Sequence, residues 1–185
     1  VSKLAYNIPS YDVNNFSFGP GILYIGVTGA TPTTDVGAST GGVLRVTRTI
    51  LPVDQGTPKM RVHNLCSQEL VELEFTSIEW DVLKMAMLLG AGETASASNV
   101  DSIDLGGDFN YGKWAVHYQH RMPAGYTLNI YLWEAIGSGE TENTFGDALH
   151  EMGYKFQAVR ATTDWNSASI AEKKQYCHIE INKDT

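Results

Sequence analysis

The sequence predicts a mainly β protein: an antiparallel β-sandwich or barrel with one flanking α-helix. Three observations predict it. About seven segments of the 185-residue chain are rich in β-branched and aromatic residues or alternate apolar with polar positions. A single segment carries the spacing of an amphipathic helix. No strand–helix–strand alternation and no internal repeat is visible, which argues against the parallel α/β classes. The length fits one domain, residues 1–185, large enough to bury its own core.

Taken in order, residues 1–15 are mixed in character and carry Pro9, as expected of an extended arm. Residues 16–26 form a strand entered through a glycine–proline kink, with Pro20 at an edge or a bulge because it cannot donate to a ladder. Residues 28–42 are dominated by Gly, Thr, Pro, Ser and Ala, the composition of a flexible loop. Val43 to Leu51 is a β-branched strand that stops at Pro52. In Glu69 to Phe75, Val71, Leu73 and Phe75 share one face, with Leu70, Glu72 and Glu74 on the other. Between these strands Pro52 to Ser67 reads as a long polar loop, far beyond what a hairpin needs.

The helix follows as Ser77 to Leu89. Thr76 and Glu79 fit a capping box, and Gly90 supplies a left-handed stop. Trp80, Leu83 and Met87 lie on one stripe, which assigns them to helix packing. Residues 91–111 form a second glycine-rich connection. Lys113 to Arg121 alternates, with Trp114, Val116 and Tyr118 on one face and His117 among the polar residues opposite. The Met122–Gly125 turn joins it to Tyr126–Glu134, with Leu128, Ile130 and Leu132 inward. Residues 137–141 break that hairpin. Met152 to Thr162 places Tyr154, Phe156 and Ala158 in phase, and Gln175 to Asn182 aligns Cys177, Ile179 and Ile181.

Composition narrows the function classes. Apolar residues make up 43% and charged residues only 18%, leaving more uncharged surface than average, which is compatible with subunit contacts. A net charge of −8 opposes a protein that grips nucleic acid, which needs clustered Lys and Arg. The two cysteines, Cys66 and Cys177, are too few for a disulfide scaffold. The first residues do not resemble a signal peptide, and no apolar run approaches the roughly 20 residues of a membrane span, so a soluble protein made in a cytoplasm is expected.

Chemistry-bearing groupings are weak. His63 and Cys66 have ligand-like spacing, but the adjacent Cys177 and His178 point to opposite strand faces and cannot share an ion with them. His117 and His120 also face opposite ways and read as hairpin surface residues. No serine sits in a nucleophile elbow, and the glycines at 19 and 21 lack the helix that would receive a phosphate. The acidic pairs Asp101/Asp104 and Glu140/Glu142 lie in glycine-rich loops, where carboxylates are ordinarily solvated. The expectation is no enzyme, no metal and no cofactor.

Four segments together resemble the major tail tube protein of long, non-contractile-tailed bacteriophages. They are Phe18–Gly26 with its Thr/Pro/Gly loop; Gly42–Leu51 with the long loop after it; Phe75–Asp81 running into Leu88–Gly92; and Tyr154–Arg160. The resemblance rests on their order and spacing across most of the chain. It implies a β-sandwich with a flanking helix whose copies form hexameric rings, stacked into a hollow tube that conducts DNA into the host. The implied partners are the chain itself, a tape measure protein, and the tail terminator and distal tail proteins. DNA would pass without specific binding, no membrane is involved, and the protein would reside in the virion tail after assembly in the host cytoplasm.

By that resemblance, inter-ring contact falls to Pro52–Ser67, with Asp54, Gln55, Gly56, Thr57, Lys59, Arg61 and His63 as candidate residues, and also to the arm at 1–15. Glu72 and Glu74 are candidates to line the bore, where an acidic wall keeps DNA from sticking; a solvated outer face is the alternative. Arg45 and Arg48 are candidates for intersubunit ion pairs. A competing expectation is a carbohydrate- or host-binding virion domain, with Tyr131, Trp133 and Trp165 as exposed aromatics able to stack on sugars.

Overall fold

The computed structural model describes residues 19–89, 93–97 (backbone only), 99–105, 112–122, 125–137, 150–171 and 175–183. The arm expected at 1–15, the helix stop at Gly90 and most of the break at 137–141 lie outside the described residues. The chain runs β1 (Ile22–Val27), β2 (Thr34–Asp35), β3 (Ser39–Gln55), β4 (Met60–Ser77), α1 (Val82–Leu89), β5 (Glu93–Ala97) and β6 (Val100–Asp104). It continues through β7 (Lys113–Arg121), β8 (Thr127–Gly137), β9 (Met152–Val159) and β10 (His178–Asn182). Eight strands form one antiparallel sheet in the order β2-β1-β7-β8-β9-β4-β3, with β10 also on β8. β10 pairs with Thr127–Tyr131 and β9 with Glu134–Gly137, so the two share one edge of β8 end to end.

The sheet is open but rolled. The Gly21 N–H donates to the Tyr118 hydroxyl at 2.9 Å, and the Ser39 hydroxyl donates to the Gly21 carbonyl at 3.1 Å. These bonds bring the start of β3 against the start of β1, although no ladder closes the barrel. The core fills the roll: Leu23 and Ile25 from β1, Leu73 and Phe75 from β4, Leu132 from β8 and Phe156 from β9 are at most 1% exposed. The fold is thus a sandwich-like antiparallel body with a flanking helix, as the alternation in the sequence requires.

β8 carries one irregularity with consequences. Val116 faces Leu132 and Trp114 faces Ala135, so β8 spends one residue more than β7 over this stretch. The bulge lets both Leu132 and Ala135 point inward, each fully buried. It also brings Ala115 into the core beside Val116 and leaves Trp114, expected inward, only partly buried.

The helix is shorter than its pattern suggests. Thr76 and Ser77 stay in the sheet, opposite Gly153 and Met152, and cannot cap a helix there. Asp81 caps instead: its carboxylate accepts the N–H groups of Leu83 and Lys84, and its carbonyl accepts that of Met85. Glu79 turns away to accept the Ala38 N–H. Rotation of the start moves the buried face. Leu88 is buried, Met85, Met87 and Leu89 pack partly against the core, and Trp80 and Leu83 are about 40% exposed, in contrast to the expected stripe.

Three expected loops contain strand. β2 and the start of β3 lie within 28–42, and β5 and β6 form a hairpin within 91–111. Neither stretch alternates apolar with polar residues, so backbone pairing holds them without a pattern to announce it. Asn99, with φ of 82°, serves the turn between β5 and β6. The third, Pro52–Ser67, is the largest correction.

Candidate functional site

Pro52–Ser67 is not a loop. Its residues continue β3 and β4 in register, Leu51 against Leu65, Pro52 against Asn64, Val53 against His63, and only Gly56–Lys59 turns the chain. Proline is tolerated because β3 is an edge strand, and Gly56 adopts the positive φ of 95° that the turn demands. Register shifts fall between Thr49 and Ile50 and between Val53 and Asp54; at the first, the Ser67 hydroxyl donates to the Thr49 carbonyl at 3.1 Å. β9 pairs with β4 only over Glu72–Ser77, so beyond Leu70 the two strands proceed without a third. From Thr47 to Gln55 this two-stranded ribbon extends roughly 25 Å at the usual rise of a strand.

The ribbon is apolar where a solvated hairpin would be polar. Ile50, Leu51, Val53, Met60, Val62 and Leu65 are all 38–65% exposed. Leu51 and Leu65 sit side by side on one face, and Ile50 points to the other. The outer edge of β3 meets no other strand among the described residues. Exposed backbone groups flanked by aliphatic side chains form a template for another chain.

The candidate contact residues occupy the ribbon's end. Asp54, Gln55, Gly56, Thr57, Lys59, Arg61 and His63 are all exposed, and Asp54 pairs with Arg61 at 3.5 Å. The four charged residues nearer the body have partners within the chain. Arg45 binds Glu74 at 2.6 Å and Arg48 binds Glu69 at 2.9 Å, so both arginines already have partners within their own hairpin. Glu72 is only 9% exposed and pairs with Lys155 of β9 at 2.7 Å, while Lys155 also reaches Glu74 at 3.8 Å. Two carboxylates and two cations thus cancel across β3, β4 and β9. The physical reason is register: Arg45 lies opposite Glu72 and Lys155 opposite Glu74, which puts opposite charges on adjacent strands of one face. Glu72 and Glu74 therefore bring no uncompensated negative charge to any bore.

A second grouping emerges on the sheet face turned from the core. Tyr24, His117, Tyr131 and His178 lie directly opposite one another across β1, β7, β8 and β10, forming one straight row. His117 and Tyr131 stack at 4.8 Å, and Trp133 stacks on Tyr131 at 5.4 Å. Trp165, from the segment after β9, meets Trp133 nearly edge-on at 5.0 Å and 69°. The Tyr131 hydroxyl donates to Glu180 at 2.5 Å; burial, and then this bond, raise the phenol's pKa, and the bond lowers that of the carboxyl. Burial lowers the pKa of His117, whose ring nitrogen Nε2 lies 2.9 Å from the Asn129 side-chain oxygen.

This arrangement corrects three assignments. His117 is half-buried among rings, and His120 is 3% exposed, so neither is a plain hairpin surface residue. Trp165 is 8% exposed, so it is a largely buried wall of the aromatic cluster and not an exposed ring. The row escaped sequence reasoning because it depends on strand order and register; aromatic residues on the polar faces of β7 and β8 were the available signal. Among the described residues, no group of three or more His, Cys, Asp or Glu is placed to hold a metal ion. No described helix is long and apolar enough to cross a membrane. No family model matches the sequence, and no curated protein matches it significantly.

Proposed function

We propose that this chain is a structural subunit of the tail-tube type, assembling into hexameric rings that stack into the hollow tail of a phage virion and conduct DNA into the host. The observation that carries the reading is the β3–β4 ribbon, with exposed aliphatic residues and an edge that meets no other strand among the described residues. A two-stranded hairpin alone is marginal in water, and a second copy supplies what the ribbon lacks. When that edge meets a different edge of the neighbour the contact is head-to-tail, and it closes into a ring when the rotation permits and continues as a filament when it does not. A rigid ribbon also spans to a neighbouring ring better than a flexible loop, because less chain entropy is lost on contact.

The net charge of −8 supports passage of DNA without capture, since few cations are offered to phosphate. With Glu72 and Glu74 paired internally, the repulsion rests on other carboxylates of the chain. The tape measure, terminator and distal tail proteins are the partners this reading requires.

Negative-stain electron microscopy of the concentrated protein, alone and with tape measure protein, tests it. Tubes or rings are expected. A strictly monomeric species at high concentration, with no tubes in lysates, rejects the reading. Excising Ile50–Ser67 and closing Thr49 to Gln68 with a two-residue turn joins positions already opposite one another. The shortened protein should fold, by circular dichroism, and form no tubes. Normal tubes from it would remove the ribbon's role.

A further inference from the structure

We propose that the aromatic face holds a binding pocket for a neutral, hydroxyl-rich ligand of the saccharide class, separate from the assembly ribbon. A cavity of about 530 Å³ opens between β8, β10 and the segment after β9. Its volume falls within the range of about 300–1,000 Å³ typical of small-molecule sites. The indoles of Trp133 and Trp165, set nearly at right angles, make an apolar corner against which the C–H face of a sugar ring can rest.

The polar lining selects among ligand classes. Asp164 and Glu180 contribute carboxylates, and among the described residues no Lys or Arg lines the cavity, a lining that favours neutral hydroxyl-rich ligands over phosphates, sulfates and acidic sugars. Both carboxylates are already engaged. One Asp164 oxygen accepts the backbone N–H groups of Asn166 and Ala168 at 2.8 Å, and Glu180 holds the Tyr131 hydroxyl and faces His178 at 3.3 Å. At Glu180 and at that Asp164 oxygen, a cationic ligand would have to compete with these donors. Asn166, Ser169 and His178 present both donors and acceptors, the combination that hydroxyl groups match. Among the described residues, the buried indole N–H of Trp165 has no acceptor.

The pocket does not depend on tube assembly, so the two proposals stand or fall apart. The intact protein is screened against an array of neutral mono- and oligosaccharides, and hits are titrated by tryptophan fluorescence. Saturable binding of at least one neutral saccharide is expected. Trp133→Ala should weaken it about tenfold or more, the loss of one good contact. Asn166→Ala, at an exposed position that leaves the fold intact, should also weaken it and serves if the tryptophan variant unfolds. No binding across the array, binding unchanged in both variants, or binding of tetramethylammonium with no saccharide would each overturn the proposal.

Discussion

His117 shows how a residue's surroundings decide its behaviour. Tyr24, Tyr131 and Trp165 surround its ring, the Asn129 side-chain oxygen accepts from Nε2–H at 2.9 Å, and Glu180 is the nearby charge that favours protonation. Burial outweighs these and lowers the folded-state pKa below the ordinary value of 6.5. Between the two values the native state binds fewer protons than the unfolded chain, so stability falls as pH drops through that window. Melting temperature measured from pH 8 to pH 5 should therefore decline, and His117→Phe, which cannot titrate, should flatten the slope. Equal slopes would show that the acid sensitivity lies elsewhere. Glu180 acts lower on the scale: its depressed pKa adds stability above the ordinary carboxylate range, which is lost as pH falls through its folded-state value. None of this was legible in the sequence, where His117 is one polar residue in an alternating strand.

Among the elements, the helix and the ribbon were misjudged for related reasons. Thr76 and Glu79 have capping-box spacing, yet pairing of β4 with β9 claims Thr76 and Ser77 and leaves Asp81 as the cap. Pro52 marks a strand end in an interior strand, but at the edge its missing N–H costs no ladder bond. In both cases a local signal was outweighed by position in the sheet. The docking of α1 on β8 has a point of failure that follows from backbone contact. A Cβ on Gly137 would lie 2.8 Å from the Leu88 and Leu89 carbonyl oxygens, and backbone cannot move aside as a flexible side chain can. Gly137→Ala should thus destabilise the fold by about 1–3 kcal/mol, the usual cost of overpacking. Urea denaturation measures it, and an unchanged midpoint would mean that the helix shifts freely.

For the whole molecule, the proposed assembly is driven by apolar contact more than by charge, because the ribbon's arginines already have partners. Leu51→Lys, which places a charge on the exposed aliphatic face beside Leu65, should abolish tubes while leaving the monomer folded. Raising sodium chloride from about 50 to about 500 mM screens exposed charges but should leave wild-type tubes intact, as judged by sedimentation. Dissolution by salt with survival of Leu51→Lys tubes would reverse the order of forces. The β class, the inward faces of β4, β8 and β9 and the presence of a helix can be read from the amino-acid pattern alone. Those features depend on residues close in the chain, where period and burial are coupled directly. The ribbon in place of a loop, the pairing of Glu72 with Lys155, and the alignment of four aromatic side chains across β1, β7, β8 and β10 come from the three-dimensional arrangement. These follow from strand order and register, which join residues far apart in the chain and leave no local periodicity behind.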